Sequence, residues 1–228
     1  LGQKEFYGLN FKVNRNTLIP RPETELIPQL VTQNMEPKGK NKKITIVDIG
    51  TGSGNIIISI AKEMEKSKLP ITNYQLLAID ISAAALKIAK QNARLHKVDK
   101  KIKFIKGNLL SPVICNLQFA TEQEIIITAN LPYLSKKIYA SVNRDIKKYE
   151  PRSALLSGKN GLAHYEKLLK QLKTLKNQHS MLHVSCFLEI SPEQKSTLQK
   201  LLKRLFPKTR ISFHKDLSSR WRICQIEL

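Results

Sequence analysis

Long apolar runs rich in β-branched residues alternate with helical patterns along most of this chain. Ile44, Ile46, Val47 and Ile49 form the first run, the signature of a parallel strand covered on both faces. It stops at Gly50-Thr51-Gly52-Ser53-Gly54, and the next stretch, residues 55–66, reads as a helix broken by Leu69-Pro70. A second strand over 75–79 ends in Asp80. Ser82 then caps a helix that carries Leu86, Ala89 and Ala93 on one face and ends near His96. Short strands are expected at 102–105 and 124–129, the latter running into Asn130-Leu131-Pro132-Tyr133. Downstream the pattern predicts helices near 135–148 and 164–176 and a strand over 181–189. The capping-box series Ser191-Pro192-Glu193-Gln194 opens a helix that ends near Phe206-Pro207, and strands at 210–215 and 221–228 close the chain. Ahead of this series, Leu9 to Val13 alternate apolar and polar residues and meet Asn14-Arg15-Asn16, which predicts a hairpin within 6–18. Pro22 is suited to begin a helix towards Asn34, with Glu23 and Glu25 in its first turn, and residues 36–43 read as a surface loop.

Seven strands alternating with helices give an α/β fold: a Rossmann-like, mostly parallel seven-stranded sheet with helices on both faces and an N-terminal β-hairpin. The expected division is 1–43, holding the hairpin, the proline-rich segment and a lead-in helix, and 44–228, the ligand-binding domain. In an open sheet of this kind ligands sit beyond the carboxyl ends of the strands. The loops at Gly50, Asp80, Asn108 and Asn130 all leave that edge.

The glycine loop predicts a small polar cofactor, because glycines let the backbone turn tightly and bring helix N–H groups close to a ligand. Dinucleotide binding would want a glycine where Asn55 stands, and a nucleoside triphosphate loop would want Gly-Lys-Ser/Thr. Neither is present in this loop. What remains is Asp-x-Gly-x-Gly-x-Gly from Asp48 to Gly54, with Asp80 placed to accept hydrogen bonds from ribose hydroxyls. A glycine-rich turn of another doubly wound protein is the alternative.

Cys115, Cys186 and Cys224 lie far apart, so neither a disulfide framework nor a zinc ribbon is indicated, and Cys186 reads as a core residue. His179 and His183 are four apart without the glutamate of a zinc-protease motif, so no metal site is expected. No apolar run is long enough to span a membrane, which together with the cysteine usage points to the cytoplasm. With leucine at position 1, the sequence is expected to begin inside a longer natural chain. The formal net charge of +21 draws the protein towards nucleic acid or a nucleic-acid-rich assembly such as the ribosome. Its lysines are diffuse and not interleaved with aromatic residues, so a solvated surface is the competing reading.

Asn130-Leu131-Pro132-Tyr133 is where the chemistry becomes readable. An amide or exocyclic amine has a delocalised lone pair, and it attacks a methyl group only when its N–H bonds are held away. The Asn130 side-chain oxygen and the Leu131 carbonyl, stiffened by Pro132, are the two acceptors for this, and Tyr133 offers a flat wall. The chain resembles the release factor glutamine methyltransferases, the HemK/PrmC family. The likeness rests on Phe6-Tyr7-Gly8-Leu9, Leu18-Ile19-Pro20-Arg21-Pro22-Glu23-Thr24-Glu25, Asp48 to Gly54, Asp80-Ile81-Ser82, and Tyr149-Glu150-Pro151-Arg152 with Gly161. That resemblance implies a class I methyltransferase fold and transfer of a methyl group from S-adenosylmethionine to the glutamine side-chain amide in the Gly-Gly-Gln motif of peptide chain release factors, leaving S-adenosylhomocysteine. By the same likeness Asp48, Gly50, Thr51, Gly52, Ser53, Gly54, Asp80, Ile81, Asn108, Leu109 and Asn130 contact the donor. Asn130, Leu131, Pro132 and Tyr133 hold the amide, with Pro20 and Arg21 on the substrate side. Leu131 stands where the family usually has a proline, and the family's N-terminal helical domain is not expected within this chain. Asn-Leu-Pro-Tyr also resembles rRNA adenine dimethyltransferases. Adenine methylation and a non-catalytic, ribosome-associated donor-binding module therefore stay open as alternatives.

Overall fold

In the computed structural model the described residues are 2–35, 43–67, 74–116, 124–158 and 160–228. The parts of the expected loop at 36–42, the break at Leu69-Pro70 and Lys159 lie outside them. A two-stranded hairpin, β1 (Gln3–Phe6) and β2 (Leu9–Lys12), precedes a 3-10 turn at Pro22–Glu25 and helix α1 (Leu26–Gln33). Then follow β3 (Ile44–Ile49), α2 (Asn55–Lys66), β4 (Tyr74–Asp80), α3 (Ala83–Leu95), β5 (Ile102–Lys106), α4 (Ser111–Asn116) and β6 (Glu124–Ala129). The second half holds α5 (Lys136–Ser141), α6 (Arg144–Tyr149), α7 (Ala163–Gln178), β7 (His183–Glu189), α8 (Lys195–Leu205), β8 (Arg210–Lys215) and β9 (Trp221–Glu227).

The seven-stranded sheet runs β5-β4-β3-β6-β7-β9-β8. Strands β3 to β7 are parallel, and β9 pairs antiparallel with both β7 and β8. The unbroken apolar runs turn out to serve two cores at once. Ile46, Leu76, Ala78 and Ile126 face α1, α2 and the hairpin, where Ile27, Ile57, Phe6 and Phe11 are fully buried. Val47, Leu77, Ile79, Ile125 and Ile127 face α7 and α8 through Leu168, Leu172 and Leu202. Cys186 belongs to this second core. Burying both faces explains why the strands carry no polar alternation. Chain order reverses between β3 and β6, so the crevice beyond their carboxyl ends is a topological switch point. Among the described residues no helix is long and apolar enough to cross a membrane.

Three local expectations are corrected. The hairpin turns at Tyr7-Gly8, not at Asn14–Asn16. Both residues adopt positive φ (52° and 70°), the geometry of a two-residue hairpin turn, and Asn14 instead closes a separate turn onto Thr17. Residues 135–148 form two short helices, because the Asn143 side chain accepts from the Asp145 N–H and starts a new cap. Strand β7 begins at His183, two residues later than expected. The hairpin is tied to α3 and the glycine loop by a residue that no sequence motif marks, buried Asn92 on α3. Its side chain bonds both backbone groups of Lys12 (2.8 and 3.0 Å) and donates to the Ser53 carbonyl at 2.8 Å.

Candidate active site

The glycine loop leaves β3 and leans onto β4, with the Gly50 and Thr51 N–H groups donating to the Ile79 carbonyl at 2.8 and 3.0 Å. Gly50, Gly52 and Gly54 all have positive φ, and a Cβ at Gly54 would stand 2.9 Å from Ile58 and 3.2 Å from Ala89. That glycine lets α2 start in close contact with α3. Asp80, at the tip of β4, accepts from the Gly52 N–H at 2.9 Å through one oxygen and from the Ser82 N–H at 2.8 Å through the other. Burial nevertheless raises its pKa. Its remaining lone pairs are the ones available to ribose hydroxyls.

A cavity of about 400 Å³ opens above this loop. Its floor and walls bring together Gly50, Thr51, Gly52, Ser53, Asp80, Ile81, Asn108, Leu109, Asn130, Leu131 and Pro132, and Pro20, Arg21 and Thr24 reach it from the proline-rich segment. Loops that follow four different strands thus meet at one place. Leu109 holds a positive φ of 56°, and Gly107 is pressed against Pro112, so the turn after β5 is tightly formed. The glycine cradle, an acid at its edge, and apolar Ile81, Ala85 and Leu109 fit a ligand with a sugar and a flat ring.

Three residues expected at the site do not line the cavity. Asp48 is fully buried and is not on the cavity wall; its carboxylate accepts the hydroxyls of Thr51 at 2.7 Å and Thr128 at 2.8 Å. Burial pushes its pKa up to about 6 despite those two bonds. Asp48 therefore supports the loop from beneath. Gly54 caps α2 just below the wall and does not line it. Tyr133 does not line the cavity either. It is half-buried, and its hydroxyl is pushed up to about 12 by burial and by Glu189, with Arg222, Arg21 and Glu23 also near. Its carbonyl packs on Gly161, where a Cβ would come within 2.2 Å of the oxygen and φ is +77°. That steric demand is met only by glycine.

The side of Asn130 is built from residues that spacing does not reveal. Asn130 Nδ2 donates to Thr24 Oγ1 at 3.1 Å, and Thr24 Oγ1 donates to Glu189 Oε2 at 2.6 Å. Thr24 and Glu189 are each 1 % exposed. Buried Tyr165 accepts the Leu131 N–H at 3.4 Å and donates to the Glu189 backbone carbonyl. Arg21 pairs with buried Glu150 at 2.5 Å, tying the proline-rich segment to the loop after α6. Thr24 and Glu150 sit inside the sequence blocks quoted above, but only as blocks. Glu189 carries the same signal as Asp80, an acid at the carboxyl tip of an apolar strand. His164, on the cavity wall, shares a 2.8 Å hydrogen bond with buried Ser157, and burial lowers its pKa.

A methyltransferase-domain family model matches residues 40–215. The release factor glutamine methyltransferase of Enterococcus faecalis is 37% identical over 228 residues, covering all of this chain and 74% of that protein. The enzyme of the same name from Dictyoglomus turgidum is 35% identical over 225 residues, covering 98% and 72%. Among solved structures, the catalytic domain of human METTL16 bound to a MAT2A 3′UTR hairpin superposes with a TM-score of 0.65 at 17% identity, over 96% of this chain and 75% of that one. The N-terminal domain of human METTL16 in complex with S-adenosylhomocysteine gives 0.56 at 15% identity, over 97% and 76%. These two show a shared fold, the class I methyltransferase fold. With a domain model over most of its length and relatives of one name that align with 98% or more of it, the chain belongs to the release factor glutamine methyltransferase family.

Proposed function

We propose that this protein transfers a methyl group from S-adenosylmethionine to the side-chain amide nitrogen of the glutamine in the Gly-Gly-Gln motif of peptide chain release factors. One observation carries the reading: the glycine loop with Asp80 and the turn Asn130-Leu131-Pro132 wall the same cavity. The donor, when bound, supplies an electrophilic methyl carbon on a positively charged sulfur. Gly52 and Asp80 hold the sugar side, and Ile81 and Leu109 flank the flat ring. The substrate amide has two N–H bonds. Asn130 Oδ1 accepts one and the Leu131 carbonyl the other, which turns the nitrogen lone pair to the remaining face, towards the methyl. The gain is orientation, and no general base is needed before the transfer. Arg21, fixed by Glu150, stands at the mouth with Pro20 and forms the substrate side.

Incubating the protein with S-adenosylmethionine and a release factor, followed by peptide mass spectrometry, tests this. One methyl group on the motif glutamine is the expected result. Methyl transfer to rRNA or DNA adenine with none to the release factor would reject the reading in favour of an amine substrate, and donor binding without any transfer would leave a binding module.

A further inference from the structure

The amide of Asn130 has a donor end and an acceptor end of nearly equal shape, and only the acceptor end serves a substrate N–H. Something must choose between them. Thr24 has one hydroxyl proton and gives it to Glu189 Oε2 at 2.6 Å. Having spent its only proton, Thr24 offers Asn130 nothing but lone pairs, and the NH₂ end turns to it at 3.1 Å. The opposite end of the same planar group, Oδ1, is left for the cavity that Asn130 lines. Glu189 also reaches the turn that carries Asn130. Its backbone carbonyl takes the Tyr165 proton, so the Tyr165 oxygen can accept the Leu131 N–H. That bond holds the peptide between Asn130 and Leu131 through an N–H that a proline would lack.

Resting on the methyl-transfer reading above, we infer that Thr24 and Glu189 are positioning residues that select which end of the Asn130 amide meets the substrate. The selection depends on Glu189 being ionised. Arg222, Arg21 and Glu23 are the charged groups facing it, beside Tyr133 and Tyr165, and Arg222 is itself paired with Asp216 at 3.1 Å. Burial pushes the Glu189 carboxyl up to about 7. Once protonated, Glu189 can donate to Thr24. The Thr24 proton is then free to meet Asn130 Oδ1, and the amide turns over.

Thr24→Val keeps the shape and removes the hydroxyl. It is expected to lower kcat about tenfold or more, with the Kd for the methyl donor unchanged within about twofold. Thr24→Ser restores most of the rate. In the wild-type protein kcat falls as pH drops through about 7, and Glu189→Gln, which cannot titrate, flattens that limb. A second readout needs no substrate: the Asn130 side-chain amide signals in ¹⁵N spectra should titrate with a midpoint near 7 and shift in Thr24→Val. A full rate in Thr24→Val, an unaltered acid limb in Glu189→Gln, or Asn130 signals insensitive to pH overturns the inference. If the wild-type protein methylates no release factor, the functional reading alone fails, and the Asn130 signals still decide this one. Should Thr24→Val not fold, the wild-type titration decides.

Discussion

The two halves of the cavity wall are held by different means. On the β3–β4–β5 side the ligand-facing groups are main chain, or side chains bonded to nearby main chain; Gly52 and Asp80 are 28 residues apart, and Asp80 and Ser82 only two. On the β6–β7 side the groups are set by side chains brought from across the sequence: Asn130 to Thr24 over 106 residues, Arg21 to Glu150 over 129, Thr24 to Glu189 over 165. The first half is a cradle that local sequence can form once the strands are in place. The second exists only when the proline-rich segment, the β6 turn and the tip of β7 are docked together. On the proposed function, binding belongs to the first half and orientation to the second, and substitutions in the two should fail in different kinetic terms.

Asn130→Ala should produce the largest effect. Turnover is expected to fall on the order of a hundredfold, while the donor Kd stays within about twofold, because the lost contact acts on the attacking nitrogen. Calorimetry for the donor and single-turnover methylation separate the two quantities. Comparable losses in both would erase the distinction between the halves. Asp80→Ala is the reciprocal change, expected to weaken donor affinity about tenfold, as for a lost charge-assisted hydrogen bond, with kcat at saturating donor nearly kept. Unchanged affinity would remove Asp80 from the sugar side and leave it only as the tie that holds Gly52.

This contrast also explains what could be read from the sequence. Strands β3, β4 and β6, the glycine loop, the Ser82 cap and Asp80 are local patterns, so each was legible: a β-branched run, glycines in a row, a serine before a helical stretch. The hairpin's turn is less legible: Asn14-Arg15-Asn16 carries the turn signal, whereas Tyr7, not a usual turn residue, takes the left-handed conformation beside Gly8. The family likeness places Asp48 with the ligand-contacting glycines because it opens the same motif. In the fold it points down to Thr51 and Thr128. Thr24 and Glu189 could not be paired by any spacing rule, since 165 residues separate them and only the docking of the 3-10 turn at Pro22–Glu25 makes them neighbours. Sequence singles out Asn130, but not the residues its amide bonds to.

Asp48 supplies the smallest test, one that reads stability and not catalysis. Its carboxyl is raised from 3.8 to about 6, chiefly by burial, so the folded protein binds this proton more tightly than the unfolded chain does. The stabilisation that this proton brings is complete below about pH 4 and is lost as pH rises through about 6. Asp48→Asn cannot titrate and lacks this slope. From pH 5 to pH 7 the wild-type protein should therefore lose about 1 kcal/mol relative to Asp48→Asn, whatever the substitution costs at a fixed pH. Denaturant unfolding of both proteins across that range measures the difference. Parallel pH profiles would mean that Asp48 is ionised throughout in the folded state. Its two hydroxyl partners would then hold the charge fully, and the support beneath the glycine loop would be as insensitive to pH as the main-chain bonds above it.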